Sequence, residues 1–503
     1  MFSGACAQQN PTAMKYAPII SADLAKKHLS IIASDAYEGR ETGKPGADKA
    51  AHYIADEFKS LGLQPIVNGS YFFDVPLSEN SLKVTFSVNG TPAVNAEDFF
   101  AYKPAADRAI IANEIVFVGY GTDSEIANTD LTGKIVLWIN EDKPEAGKPA
   151  NTSYRSTPAR ALVLKNLQSK NPEVILAANG GIADVLKKNK GYITAARLGI
   201  KKDAATPVDK AAGIFWITSG LADQLVKSTG KTYDQLKAAG TNSQTIKADV
   251  KLSYITEAKD VKAVDVLGFL PGSDPKLKDE VLVISAHYDH IGLMPEGTKG
   301  DRVNNGADDD GSGTTGIMEI ARAFSKAKKD GHGPRRSILF LGNVGEEKGL
   351  LGSEYYTDHP VIPLANTITD LNIDMIGRVG TEYIGKSDSA NYVYVIGSGM
   401  LSTDLHNVNE KANKAYTNLV LDYKYDDPND PNSFYTRSDH YNFAKHGVPI
   451  IFYFNGVHAD YHGVGDEVSK INFPLLAKRA QLVFYTAWDL LNADARPVVD
   501  GKK

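Results

Sequence analysis

Five short stretches of this sequence hold residue types that can bind a metal ion and move a proton. They are Ser285-Ala286-His287-Tyr288-Asp289-His290, Gly306-Ala307-Asp308-Asp309-Asp310-Gly311-Ser312-Gly313, Gly345-Glu346-Glu347-Lys348-Gly349, Leu371-Asn372-Ile373-Asp374 and Asp460-Tyr461-His462-Gly463. In the first, a neutral imidazole can ligate through one nitrogen while a carboxylate two residues on fixes its tautomer through the other. In the second, three adjacent carboxylates repel one another strongly in a low dielectric unless a cation compensates them. In the third, one acid can bind metal while its neighbour faces the substrate and moves protons. The fourth is an acid closing an apolar run, and the fifth follows another such run.

Taken singly, each motif has an ordinary alternative. A buried histidine satisfied by a nearby aspartate is common, and acidic residues often cap a helix start. A calcium loop would need ligands at alternating positions and a closing Glu that the 306–313 stretch lacks. The first motif partly resembles the H-x-H-x-D-H of metallo-β-lactamases, but Ser285 stands where the first histidine should be. Together, two histidines and three carboxylates make the nitrogen and oxygen ligand set of a dinuclear zinc site. Two such ions, roughly 3.5 to 4 Å apart, can share one carboxylate and one hydroxide.

The elements that must position these groups follow from hydrophobic patterning. Apolar runs at 281–287, 337–341, 369–374 and 448–454 read as strands, with a helical pattern between them in which Ile317, Ile320, Ala321 and Phe324 share a face. Alternation of strands and helices predicts an α/β sheet, whose sites lie at the carboxyl ends of its strands. Residues 21–63 predict two helices, the second carrying Ile54, Phe58 and Leu61 and stopped by Gly62. From about 87 to 259 the chain changes to short β runs with helical stretches at 159–168 and 220–226, which predicts an inserted domain. The catalytic domain is then discontinuous, 21–86 with 260–495, behind a tail at 1–20.

At 503 residues the chain exceeds what one core usually organises. A net charge of -6, with Lys and Arg scattered, gives no footprint for nucleic acid. No apolar run approaches the roughly 20 residues needed to span a bilayer. The single cysteine, Cys6, excludes an intrachain disulfide and a cysteine-based zinc site. Its setting, Ala5-Cys6-Ala7, resembles the end of an export signal or a lipidation site, so a periplasmic, outer-membrane or secreted location with a lipid anchor at Cys6 is expected. Ser3 departs from the aliphatic residue a lipobox prefers.

The order H-x-D, G-A-D-D-D-G-S-G, E-E-x-G-L-L-G-S, N-x-D and Y-H-x-x-x-D resembles the dizinc exopeptidase family, which includes bacterial leucyl aminopeptidases, glutamate carboxypeptidase II and the transferrin receptor. The resemblance implies an α/β/α sandwich around a mixed, mostly parallel sheet. The segments Asn113-Glu-Ile-Val-Phe-Val-Gly-Tyr-Gly121 and Gly133-Lys-Ile-Val-Leu137 more loosely resemble the β-rich protease-associated domain often inserted in that family. By motif, His287, Asp309 and Asp374 are expected to hold one zinc, and Asp309, Glu347 and His462 the other, with Asp309 bridging. Glu346 matches the general base, Asp289 the partner of His287, and Tyr461 a hydrogen-bond donor to the oxyanion. The resemblance leaves His440, His290 and His458 outside the ligand set.

The activity so implied is removal of single residues from peptides with a free amino terminus. A carboxypeptidase would need a cationic clamp, for which Arg437 and Arg378 are the nearest candidates. A one-zinc glutaminyl cyclase and a receptor-like binding module are the other outcomes within the resemblance. A serine nucleophile is disfavoured because no G-x-S-x-G elbow occurs.

Overall fold

The computed structural model describes residues 9–103, 107–143, 153, 156–201, 211–238, 242–427 and 429–501. It divides into two compact units, Met1–Leu77 with Val261–Lys503, and Ser78–Asp260. The chain crosses between them within two long strands, Phe72–Val88 and Gln244–Leu270.

The larger unit is built on four parallel strands. Val281–His287 lies between Ser337–Asn343 and Thr367–Ile373, and Ile450–Phe454 pairs with the last. Each is buried along its whole length, as expected for strands covered on both faces. Tyr392–Ile396 adds an antiparallel strand beside Ile450–Phe454. Residues 266–270 pair antiparallel with Ser337–Asn343 at the other side. Alternate residues serve the two layers. Val281, Val283, Leu339 and Leu341 pack with Tyr356 and Phe443, from helices Leu351–Asp358 and His440–Lys445. Phe340, between Leu339 and Leu341, meets Phe58 of helix Pro45–Leu61 on the other face. Helices Ala22–Ile32, Gly311–Lys329 and Phe473–Asn492 complete that layer.

The helix Pro45–Leu61 ends at Gly62, whose φ of 82° is a left-handed conformation natural to glycine. Residues assigned to a tail are in part folded: Pro11–Tyr16 is helical, and Tyr16 is buried against Trp488 with its hydroxyl on Asp330 Oδ2 at 3.0 Å. Cys6 lies outside the described residues. Among the described residues no helix is long and apolar enough to cross a membrane.

The smaller unit carries parallel strands Arg108–Phe117, Ile135–Ile139, Val174–Ala178 and Gly213–Ile217. Its faces are covered by helices Pro158–Ser169 and Ser219–Val226, through Leu167 on one side and Leu221 and Leu225 on the other. It is therefore layered α/β in its own right, with more helix than a β-rich expectation implies.

Candidate metal centre

The carboxyl ends of the four parallel strands bring the sequence-selected residues together. His287 is the last residue of its strand, and Asp374 directly follows Ile373. Glu346 and Glu347 open a short turn after Asn343, reached through Gly345 at φ 76°. Asp309 sits just before helix Gly311–Lys329, where Asp310 caps the helix by accepting from Gly313 N at 2.8 Å. His462 comes from the loop beyond Ile450–Phe454.

Asp309 lies between the two histidines. Its Oδ1 is 3.3 Å from His287 Nε2, and its Oδ2 is 3.1 Å from His462 Nε2. On the first side, Asp374 Oδ1 and Glu346 Oε2 are 3.6 and 3.9 Å from His287 Nε2. On the second, Glu347 Oε2 is 3.0 Å from His462 Nε2. Among the described residues, two groups have donor atoms close enough to share an ion: His287, Glu346 and Asp374, and His290, Asp309 and Glu347. The second includes His290, which the sequence reading set aside; its Nδ1 is 2.7 Å from Glu347 Oε1.

The donor set fits zinc: imidazole nitrogens and carboxylate oxygens in two groups joined through one carboxylate. His287 Nε2, Asp309 Oδ2 and Glu347 Oε1 are buried and, among the described residues, make no hydrogen bond of proper geometry. Buried polar atoms are rarely left so, and a cation in each of the two groups would satisfy all three.

Charge crowding shows in the proton affinities. Burial alone would depress His287, but the carboxylates of Glu346 and Asp374 hold it well above the usual histidine range. His462 is likewise opposed by burial and raised to about 10 by Asp309 and Glu347. Burial raises Glu346 well above the usual carboxylate range, with His287 opposing. Asp309 goes the other way: burial would raise it, but the adjacent imidazoles of His287 and His462 hold it well below that range.

Asp289 is fully buried, yet His287 Nδ1 faces its backbone oxygen at 3.1 Å more closely than its carboxylate oxygen at 3.8 Å. That carboxylate instead accepts from Thr42 Oγ1 at 2.6 Å and from Glu346 N at 3.3 Å. Tyr461 stacks on His462, and its hydroxyl oxygen accepts from Arg437 Nη2 at 3.3 Å. Arg378 is engaged by Asp460 at 2.8 Å and Asp466 at 3.5 Å, which removes it as a clamp for a substrate carboxylate. His440 Nε2 contacts Tyr435 O, and burial depresses its pKa to about 3. His458 faces Asp308 instead of the centre, at 3.3 Å.

Beside Asp309, Glu346 and Asp374 opens a small cleft whose other walls include Met375, Phe434, Arg437, Phe452, Phe454, Val457 and Tyr461. One wall is acidic and metal-capable, the rest chiefly aromatic and aliphatic.

Histidines and carboxylates gathered at the strand ends of an α/β sheet make a centre able to hold metal ions. Residues 265–487, within the larger unit, match the model of Peptidase family M28. The chain is 24% identical over 483 residues to the probable leucine aminopeptidase 2 of Trichophyton verrucosum, covering 90% of this chain and 80% of that protein. It is 27% identical over 477 residues to leucine aminopeptidase 2 of Arthroderma otae, covering 83% and 85%. The aminopeptidase of Aneurinibacillus sp. strain AM-1 shares the fold, with a TM-score of 0.54 at 19% identity over 98% of both chains.

Proposed function

We propose that this chain is a two-zinc aminopeptidase that removes apolar residues from the amino end of peptides. The observation that carries the two-metal reading is Asp309, whose two oxygens face His287 and His462. On this reading His287, Asp309 and Asp374 hold one ion, and Asp309, Glu347 and His462 the other. Zinc bound there supplies Lewis acidity to a peptide carbonyl and makes an attacking water more acidic.

The remaining steps fall to side chains. Glu346, with its raised proton affinity, takes the proton of the attacking water and returns it to the leaving amine. Burial also raises the Tyr461 hydroxyl, which stays protonated; with Arg437 donating to its oxygen, its own proton is free for the oxyanion. Phe434, Phe452 and Phe454 receive an apolar terminal side chain. The relatives named leucine aminopeptidase support this direction of cleavage. Residues 87–259, within the unit Ser78–Asp260, are proposed as a protease-associated domain, and export with lipid attachment at Cys6 belongs to the same reading.

Metal analysis of the purified full chain tests the centre: two zinc ions per chain are expected, with activity lost on chelation and restored by zinc. One ion per chain with pyroglutamate formed from amino-terminal glutamine would replace the reading with a cyclase, and none with a receptor-like module.

A further inference from the structure

The turn that precedes helix Pro45–Leu61 lies outside the stretch matched to the family, yet it reaches the loops on which the metal centre depends. Arg40 is 1% exposed and spends its guanidinium on four backbone carbonyls. Nε donates to Tyr288 O at 2.7 Å, Nη1 to Ile32 O at 2.9 Å and Asn305 O at 2.7 Å, and Nη2 to Gly306 O at 2.8 Å. Tyr288 directly follows His287, and Gly306 lies three residues before Asp309. One rigid fork thus spans the loop that carries one histidine and the loop that carries the bridging carboxylate.

Neighbouring contacts act on the same loops. Arg40 O accepts from His290 N at 3.1 Å, and Gly39 O from Gly292 N at 3.0 Å. Thr42 Oγ1 holds Asp289 Oδ2 at 2.6 Å, and Glu41 pairs with Lys348, next to Glu347, at 3.0 Å. The approach is close: a Cβ at Gly39, where φ is +65°, would lie 2.5 Å from Asn304 O and 2.6 Å from Gly292 O. Asp466, Asp310, Asp309 and Asp289 all act electrostatically on the Arg40 cation.

We propose that the turn 38–42, through Arg40 and Thr42, positions the metal centre by fixing the loop of His287 against the loop of Asp309, and so sets how tightly the pair of ions is held. Lysine cannot replace the fork, because a compact ammonium cannot reach carbonyls on three segments in one plane. Groups that orient metal ligands from behind typically contribute about 10- to 100-fold to metal affinity. The inference rests on the two-metal reading.

The test uses the full chain as wild type, Arg40→Lys and Thr42→Val. Stepwise zinc affinities are measured by competition with a chromophoric chelator, with circular dichroism and metal-free Tm recorded alongside. Both variants are expected to keep the wild-type circular dichroism and to bind the second ion at least about tenfold more weakly. Wild-type zinc affinities in a folded Arg40→Lys, whatever its Tm, would overturn the proposal. If Arg40→Lys does not fold, Thr42→Val decides alone: unchanged affinity overturns the proposal and a tenfold loss supports it. A wild type that binds fewer than two ions would instead overturn the two-metal reading itself.

Discussion

His290 Nδ1 lies 2.7 Å from Glu347 Oε1, while the other oxygen of that carboxylate faces His462 Nε2 at 3.0 Å. Glu347 is therefore bracketed by two imidazoles, one assigned by motif resemblance and one not. Replacing His290 by Ala removes the group beside Oε1 and leaves that oxygen buried. His290→Ala is expected to keep the fold and to lose roughly 10- to 100-fold in zinc affinity. Chelator competition and circular dichroism check this.

Protonation of the metal-free centre has a definite sign. His287 and His462 hold protons above the usual histidine range, His462 to about 10, so near neutral pH an incoming cation displaces them. Zinc addition at pH 7 in weak buffer should release protons, and affinity should rise with pH; an indicator dye and calorimetry in two buffers read both. A raised folded pKa gives stability that is complete below the unfolded value, about 6.5, and is lost as pH rises through the folded value. The metal-free protein should therefore lose Tm between about pH 6.5 and 10, and the zinc-loaded protein should lose much less, because the ion then replaces the protons.

Tyr461→Phe keeps the ring that stacks on His462 and removes the hydroxyl that Arg437 orients. If that hydroxyl meets the oxyanion, kcat should fall by about 10²- to 10³-fold while KM changes little. Steady-state kinetics on an aminoacyl-anilide separates the two. A change confined to KM would make Tyr461 a wall of the cleft and no more.

The strand ends were legible because four apolar runs stop at polar residues, and a parallel sheet covered on both faces leaves few other readings of such runs. That is why the positions of His287, Glu346, Glu347 and Asp374 could be anticipated. The contacts of Arg40 could not, since its Nε bond to Tyr288 joins residues 248 apart and no local pattern marks it. His290 is not marked in the sequence, because the motif resemblance fills the ligand set without it. The turn at 35–40 escapes sequence patterning for a local reason: Glu38 and Arg40 take positive φ, 52° and 49°, without being glycines. The tail expected at 1–20 follows from the signal-like residues around Cys6, and the short helix Pro11–Tyr16 within it has its place only through packing against Trp488.

The most direct test compares hydrolysis of aminoacyl-anilides with hydrolysis of amino-blocked peptides bearing free carboxyl ends. Wild type, a chelated sample and Glu346→Ala are run in parallel. The expected result is release from free-amine substrates only, fastest for Leu, Met and Phe, absent after chelation and reduced by at least about 10²-fold in Glu346→Ala. Cleavage of the blocked peptides alone, or release unaffected by chelation, would contradict the assignment of a metal-dependent aminopeptidase.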